Sequence, residues 1–299
     1  MPKRENEHPL ARRNRILKKI KPYLFLLPLL TVAVLFCYYP AFKSFLQSLS
    51  LVNGKGEFLG FVGFENYEFL FQSRSFKAAL RNTLVLTGSF VVVNLVLALG
   101  LALLANKKRR LSPLYETMFT LPMAYSMPVL CLIFKVLLNP TVGYLNQLLG
   151  VEWGWFEDQH MALWGILIIC VFMGVSFDFL LFLSALRAVP EPVLEAAKID
   201  GAGAVTRFFR IVLPRLSPTI LYVVCTNVAL AMMTSGPVLI LTQGGPNRST
   251  TTLIQLMYTA GYGSANYSIA ACISVVAFLL TVGMTVLAFL FERKAVSYD

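Results

Sequence analysis

The strongest constraint on this chain is a set of six unbroken apolar runs, each long enough to cross a hydrocarbon layer about 30 Å thick. They fall at 23–42, 83–105, 117–138, 162–186, 217–241 and 268–290. In lipid every backbone amide must be paired within the structure, which only helices or a closed barrel achieve. The runs are continuously apolar instead of alternating, so the predicted fold is all-α, a polytopic bundle of six transmembrane helices. Composition agrees, with 57% of the 299 residues apolar and only 14% charged. A water-surrounded core could not hide that much apolar surface, which excludes a soluble enzyme or a disordered tail.

Charge orients the bundle. Of the 26 Lys and Arg residues, 19 lie in 1–22, 106–116, 187–215 and 291–299, and six lie on the opposite side. Lys107, Lys108, Arg109 and Arg110 form the densest of these groups. The positive-inside rule therefore places both termini in the cytoplasm of a multi-pass cell-membrane (inner-membrane) protein. The basic first 22 residues suit an anionic leaflet more simply than nucleic acid. The apolar segment after them lacks a small-residue cleavage site, so it is expected to stay as the first helix.

The expected organisation is a basic tail over 1–22, a first helix and outer segment over 23–82, a core over 83–290, and a tail over 291–299. On the outer side, 61–71 (FVGFENYEFLF) is aromatic-rich and suits an amphipathic piece at the interface. The segment 139–149 opens on turn residues and predicts a short surface helix. The five cysteines stand singly inside apolar runs and read as small apolar side chains. His8 and His160 are far apart and no HExxH occurs, so neither a metal site nor a catalytic constellation is expected.

The inner loop 187–215 is too structured for a connector. Pro190 and Pro192 suit a helix start and 193–199 are mostly helix formers. Gly201 and Gly203 permit positive φ, so the chain can reverse after Asp200. A second segment over 204–212 sets Val205, Phe208, Phe209 and Val212 at helical spacing, and Leu213–Pro214 is expected to break it. Two readings of this elbow stand side by side. It can be a docking knob, with Ala196 and Ala197 allowing close approach and Glu195 fixing register, or an amphipathic stretch resting on the leaflet.

The run Glu195-Ala196-Ala197, Asp200-Gly201-Ala202, Phe208-Phe209, Ile211, Leu213-Pro214 and Pro218 resembles the EAA loop of permease subunits of binding-protein-dependent ABC importers. Gly63-Phe64-Glu65-Asn66-Tyr67, Asn82-Thr83-Leu84, Asn139-Pro140 and Leu241-Thr242-Gln243-Gly244-Gly245-Pro246 extend the likeness over most of the chain. The whole looks like the sugar-type branch, that of the maltose and glycerol-3-phosphate permeases, and in particular its first subunit. The resemblance implies the type I ABC importer fold. It also implies an elbow formed by Glu195, Ala196, Ala197, Asp200, Gly201, Ala202, Phe208, Leu213 and Pro214 that couples to a cytoplasmic ATPase dimer. Further implied partners are a second permease, usually a different chain, and an exterior solute-binding protein. ATP and magnesium would sit on the ATPase. The chain itself has no GxxxxGK[ST] motif and is expected to bind no cofactor.

Polar side chains inside the spans mark the candidate pathway, because lipid makes them costly. At about 1.5 Å rise per residue, Asn94, Ser126, Asp178 and Asn227 lie roughly 16, 14, 12 and 15 Å from the inner end. They share one layer near the midplane. Thr234 follows Asn227 by seven residues on the same face, and Gly236-Pro237 can open the helix just above. Each group can contact a carbohydrate substrate or hydrogen-bond one helix to the next. The resemblance gives an uncharged residue where Asp178 stands, which implies either substrate specificity or pairing with the second permease. Lys135 would sit roughly 14 Å above Asp178 and is expected to snorkel to the outer interface. A secondary transporter half, or a permease for a non-sugar solute, is the alternative. A secondary transporter would usually carry two repeats and ion-coupling residues, and neither is seen.

Overall fold

The structure is a computed structural model that describes residues 9–106 and 112–295, with side chains described over 21–106 and 112–290. Lys107, Lys108, Arg109, Arg110 and the side chains of 1–20 and 291–299, whose charges helped to orient the bundle, lie outside the described residues.

The first helix is longer than its apolar run. It comprises α1 (Pro9–Ala33), a π turn, and α2 (Tyr39–Ser48). It therefore begins inside the stretch read as a basic tail. None of residues 21–47 is buried, so this span packs little against its own chain until α2 reaches the last helix.

A β-hairpin follows that the sequence reading did not foresee. Strands β1 (Ser50–Val52) and β2 (Phe58–Phe61) pair antiparallel. Asn53 Oδ1 closes their turn by accepting the Lys55 and Glu57 amides at 3.0 and 2.9 Å. The amphipathic piece expected over 61–71 is thus divided, its first residue ending a strand and the rest forming α3 (Glu65–Gln72). Asn66 ties α3 back to the Ser48 and Ser50 carbonyls, 3.0 Å each.

The core is built on α4 (Arg74–Ala105) and α8 (Ala162–Arg187), which share the most extensive helix contact. Ala98, Ala102 and Ala105 repeat at helical spacing and let Phe179 and Phe182 reach the α4 backbone. The helix α4 starts nine residues before the apolar run, so the expected boundary at residue 82 falls inside it. Asn82 and Thr83 there hold a distant loop, Asn82 by the Arg248 and Thr251 carbonyls at 2.8 and 3.1 Å, Thr83 by the Leu253 amide at 2.9 Å.

The third span is not one helix, contrary to expectation. It consists of α5 (Ser112–Thr120), a 3-10 turn over Leu121–Ala124, and α6 (Met127–Leu137), the two halves bent by 105°. Pro122 and Pro128 explain the break, since each lacks an amide hydrogen and restrains the residue before it. The short surface helix expected over 139–149 is present as α7 (Tyr144–Leu149).

After α8 come α9 (Glu191–Ile199), α10 (Ala204–Arg207) and α11 (Leu213–Met232). Leu213–Pro214 does not break the chain. A π turn over Phe208–Val212 joins α10 to α11, and the Leu213 amide bonds to the Phe208 carbonyl five residues back. Pro214 enters at the start of the α11 register, where its missing amide hydrogen costs least. The real interruption comes later, between Met232 and α12 (Gly236–Leu241), at the Gly-Pro step the sequence singled out. Helices α13 (Leu253–Tyr258) and α14 (Tyr267–Ala295) complete the bundle, packing with Leu70, Phe76, Val228 and Met232 in a second core.

Candidate cleft and elbow

Three of the four midplane residues meet. Asn94 on α4 and Asn227 on α11 both donate through Nδ2 to Asp178 Oδ2 on α8, at 2.5 and 2.6 Å. All three are at most 1% exposed. Two amide donors converging on one carboxyl oxygen pin three helices at one level. Asp178 thus has two partners within its own chain, both on Oδ2. The junction depends on Gly174, because a Cβ there would lie 2.8 Å from Phe90 Cζ and 3.2 Å from Asn94 Nδ2.

Asp178 and Asn227 also line one wall of a cleft of about 660 Å³, and Thr234 and Ser235 line it further along. The remaining lining is largely apolar, including Met123, Met127, Met173, Met233, Phe90 and Phe177. Two sequence expectations are corrected here. Ser126 is exposed at the break between α5 and α6 and does not line the cleft. Thr234 lies beyond the end of α11, so it reaches the cleft through the helix break and not by helical register, and its hydroxyl bonds to the Leu230 carbonyl at 3.1 Å. Asn94 stands behind Asp178, away from the lining.

Sequence reading passed over the methionines and aromatics of the lining. A signal was present, since Cys170, Met173, Gly174, Phe177 and Asp178 recur at i, i+3, i+4, i+7 and i+8 on α8 and all line the cleft. Lys135 is exposed near the end of α6, as expected for a snorkelling side chain, and makes no ion pair with Asp178.

The elbow reverses as its glycine predicts. Gly201 adopts φ +80°, its amide bonds to the Lys198 carbonyl at 3.1 Å, and the Ala202 amide reaches the Ala197 carbonyl at 2.9 Å. That pair of bonds is the Schellman motif, which satisfies the last carbonyls of α9. Gly203 differs from expectation, taking φ −63° as the residue before α10. Only Ala197 of α9 is buried, while Glu195, Ala196 and Asp200 face outward. Ile199, Val205 and Phe209 are 86, 70 and 60% exposed. Phe208 stacks edge-on against Phe209 at 5.0 Å, and Leu213 and Pro214 are half-buried. Beside the elbow, Arg187 at the end of α8 pairs with Glu116 of α5 at 2.5 Å.

Several apolar spans, a broken helix pair, an interior cleft and an exposed two-helix elbow define a membrane permease subunit. The chain belongs to the family described as the binding-protein-dependent transport system inner membrane component, whose profile matches residues 94–296. It is 34% identical over 282 residues to the sn-glycerol-3-phosphate transport system permease protein UgpA of Yersinia pestis bv. Antiqua (strain Antiqua), covering 93% of this chain and 96% of that one. The protein of the same name from Agrobacterium fabrum (strain C58 / ATCC 33970) is 31% identical over 284 residues, covering 94% and 97%. Among solved structures, a bacterial ABC transporter involved in import of the acidic polysaccharide alginate matches with a TM-score of 0.81 at 23% identity, over 95% of this chain and all of that one. The MetNI methionine ABC transporter matches with a TM-score of 0.55 at 16% identity, over 78% and 99%. The fold is that of type I ABC importer permeases.

Proposed function

We propose that this chain is one permease subunit of an ATP-driven importer for a carbohydrate or a related polyol or glycerol phosphate. In this reading both termini are cytoplasmic, a separate ATPase dimer takes the elbow, a second permease completes the pore, and an exterior solute-binding protein delivers the substrate. The observation that carries it is the elbow. Its helices leave large apolar side chains and Glu195 in solvent around a tightly specified turn, which is what a knob fitting a partner's cavity requires. The names of the relatives favour a glycerol phosphate or a similar polyhydroxylated solute.

The cleft supports the same class. A carboxylate and an amide at one wall accept and donate to hydroxyl groups, and methionine and aromatic surfaces suit the apolar face of a sugar ring. Asp178 and Asn227 are assigned to the pathway, with Thr234 further along it. Asn94 orients Asp178 from behind.

The test is ATP-dependent uptake in proteoliposomes containing the chain with its ATPase, second permease and binding protein. Glu195→Ala combined with Gly201→Val should abolish uptake while the spans still insert; undiminished uptake would refute the coupling role. Asp178→Asn and Asn227→Ala should change which solutes are carried in an assembled complex. Loss of assembly without a change in selectivity would make the trio structural only.

A further inference from the structure

At the end of α4 remote from the elbow, Arg74, Lys77 and Arg81 are exposed along one side of the helix. They supply half of the six cations that sequence analysis assigned to the cation-poor side. On a 3.6-residue repeat, Arg74 and Arg81 share one narrow stripe with Val85, Val92, Val96 and Leu103, and Lys77 lies on its edge. All of these side chains are exposed. The stripe is therefore apolar along the membrane-crossing length of the helix and cationic at its end.

Two further observations point to an anion at that end. The first turn of α4 contains no acidic residue, and the Ser73 cap makes no side-chain bond to the helix amides. Free amides and the helix dipole already make this end positive, so added cations are unfavourable there unless an anion is present. Among the described residues, none of the three cations has a hydrogen-bonded or ion-paired side chain. Phe58, Phe61, Phe64 and Phe69 of the adjoining hairpin and α3 are exposed as well, and aromatic side chains concentrate at the membrane interface.

We propose that this end of α4 binds the phosphate of an anionic phospholipid, whose acyl chains lie along the valine stripe below. The guanidinium groups of Arg74 and Arg81, about 10.5 Å apart along the axis, converge on phosphate oxygens from one side of the helix, and Lys77 between them adds a third charge. A soluble phosphate offers the same headgroup chemistry but nothing to cover the stripe.

Native mass spectrometry of the purified full-length chain tests this, comparing retained phosphatidylglycerol with phosphatidylcholine. The wild type should retain phosphatidylglycerol preferentially, and each of Arg74→Gln, Lys77→Gln and Arg81→Gln should lower that preference about fivefold. Lys77→Arg should keep it, as should Lys43→Gln and Lys55→Gln, which lie off the stripe. An unchanged preference in the triple variant, or equal retention of both lipids by the wild type, would overturn the proposal. Inorganic phosphate should leave the lipid bound; its displacement by free phosphate alone would mean that the site takes a soluble anion and would overturn it too. Should the triple variant fail to insert, the single variants decide.

Discussion

The Asp178 junction and the elbow are opposite solutions to holding polar groups in a membrane protein. At the junction three side chains of at most 1% exposure meet through two short bonds to a single carboxyl oxygen, with Asn94 Oδ1 left unbonded. At the elbow the backbone is specified with equal care, by a left-handed glycine and two capping bonds, yet its large side chains face outward. The first region draws its bonds from within the chain and leaves one buried amide oxygen unpaired. The second has a fixed shape and an open surface, as expected where completion comes from another molecule.

This contrast breaks most sharply at Asp178. Replacing it with Ala strands two buried amides and is expected to destabilise the isolated chain by about 2–5 kcal/mol. A drop in unfolding midpoint in detergent would report it. Gly174→Ala forces a methyl into Phe90 and Asn94 and should cost about 1–3 kcal/mol in the same measurement, because α4 and α8 must separate. At the elbow, Gly201→Ala meets no atom within 4 Å, so its cost is backbone strain alone, about 1–2 kcal/mol. The partly exposed Glu116–Arg187 pair should contribute about 1 kcal/mol or less, read as the difference between Glu116→Gln and wild type. Phe209→Ser sharpens the comparison from the other side. Stability of the isolated chain should stay within about 0.5 kcal/mol while coupled uptake falls.

Much of this was legible in the sequence for physical reasons. Hydropathy runs located the spans because lipid demands them, and rise per residue set Asn94, Asp178 and Asn227 at one depth, where they meet. Gly201 announced the reversal at the elbow because α9 ends there in a conformation that favours glycine. The failures share a cause as well. The stretch 117–138 reads as one apolar run, but hydropathy is blind to direction, and Pro122 and Pro128 carry the bend. That bend removed Ser126 from the layer where counting along a straight helix had put it. Pro214 looked like a stop, yet a π turn absorbs it. The hairpin at 50–61 was missed because its strands are only three and four residues long. The methionine lining went unread because methionines dispersed over several segments converge only when the third and fifth spans break.

The most direct measurement is cysteine cross-linking from the elbow to the ATPase in the assembled importer, with Val205→Cys as the probe and Tyr262→Cys, remote from the elbow, as control. Val205→Cys should give a specific adduct with the ATPase whose yield changes when ATP is added, and Tyr262→Cys should give none. An elbow that cross-links to no ATPase residue while uptake persists would contradict its role as the coupling element.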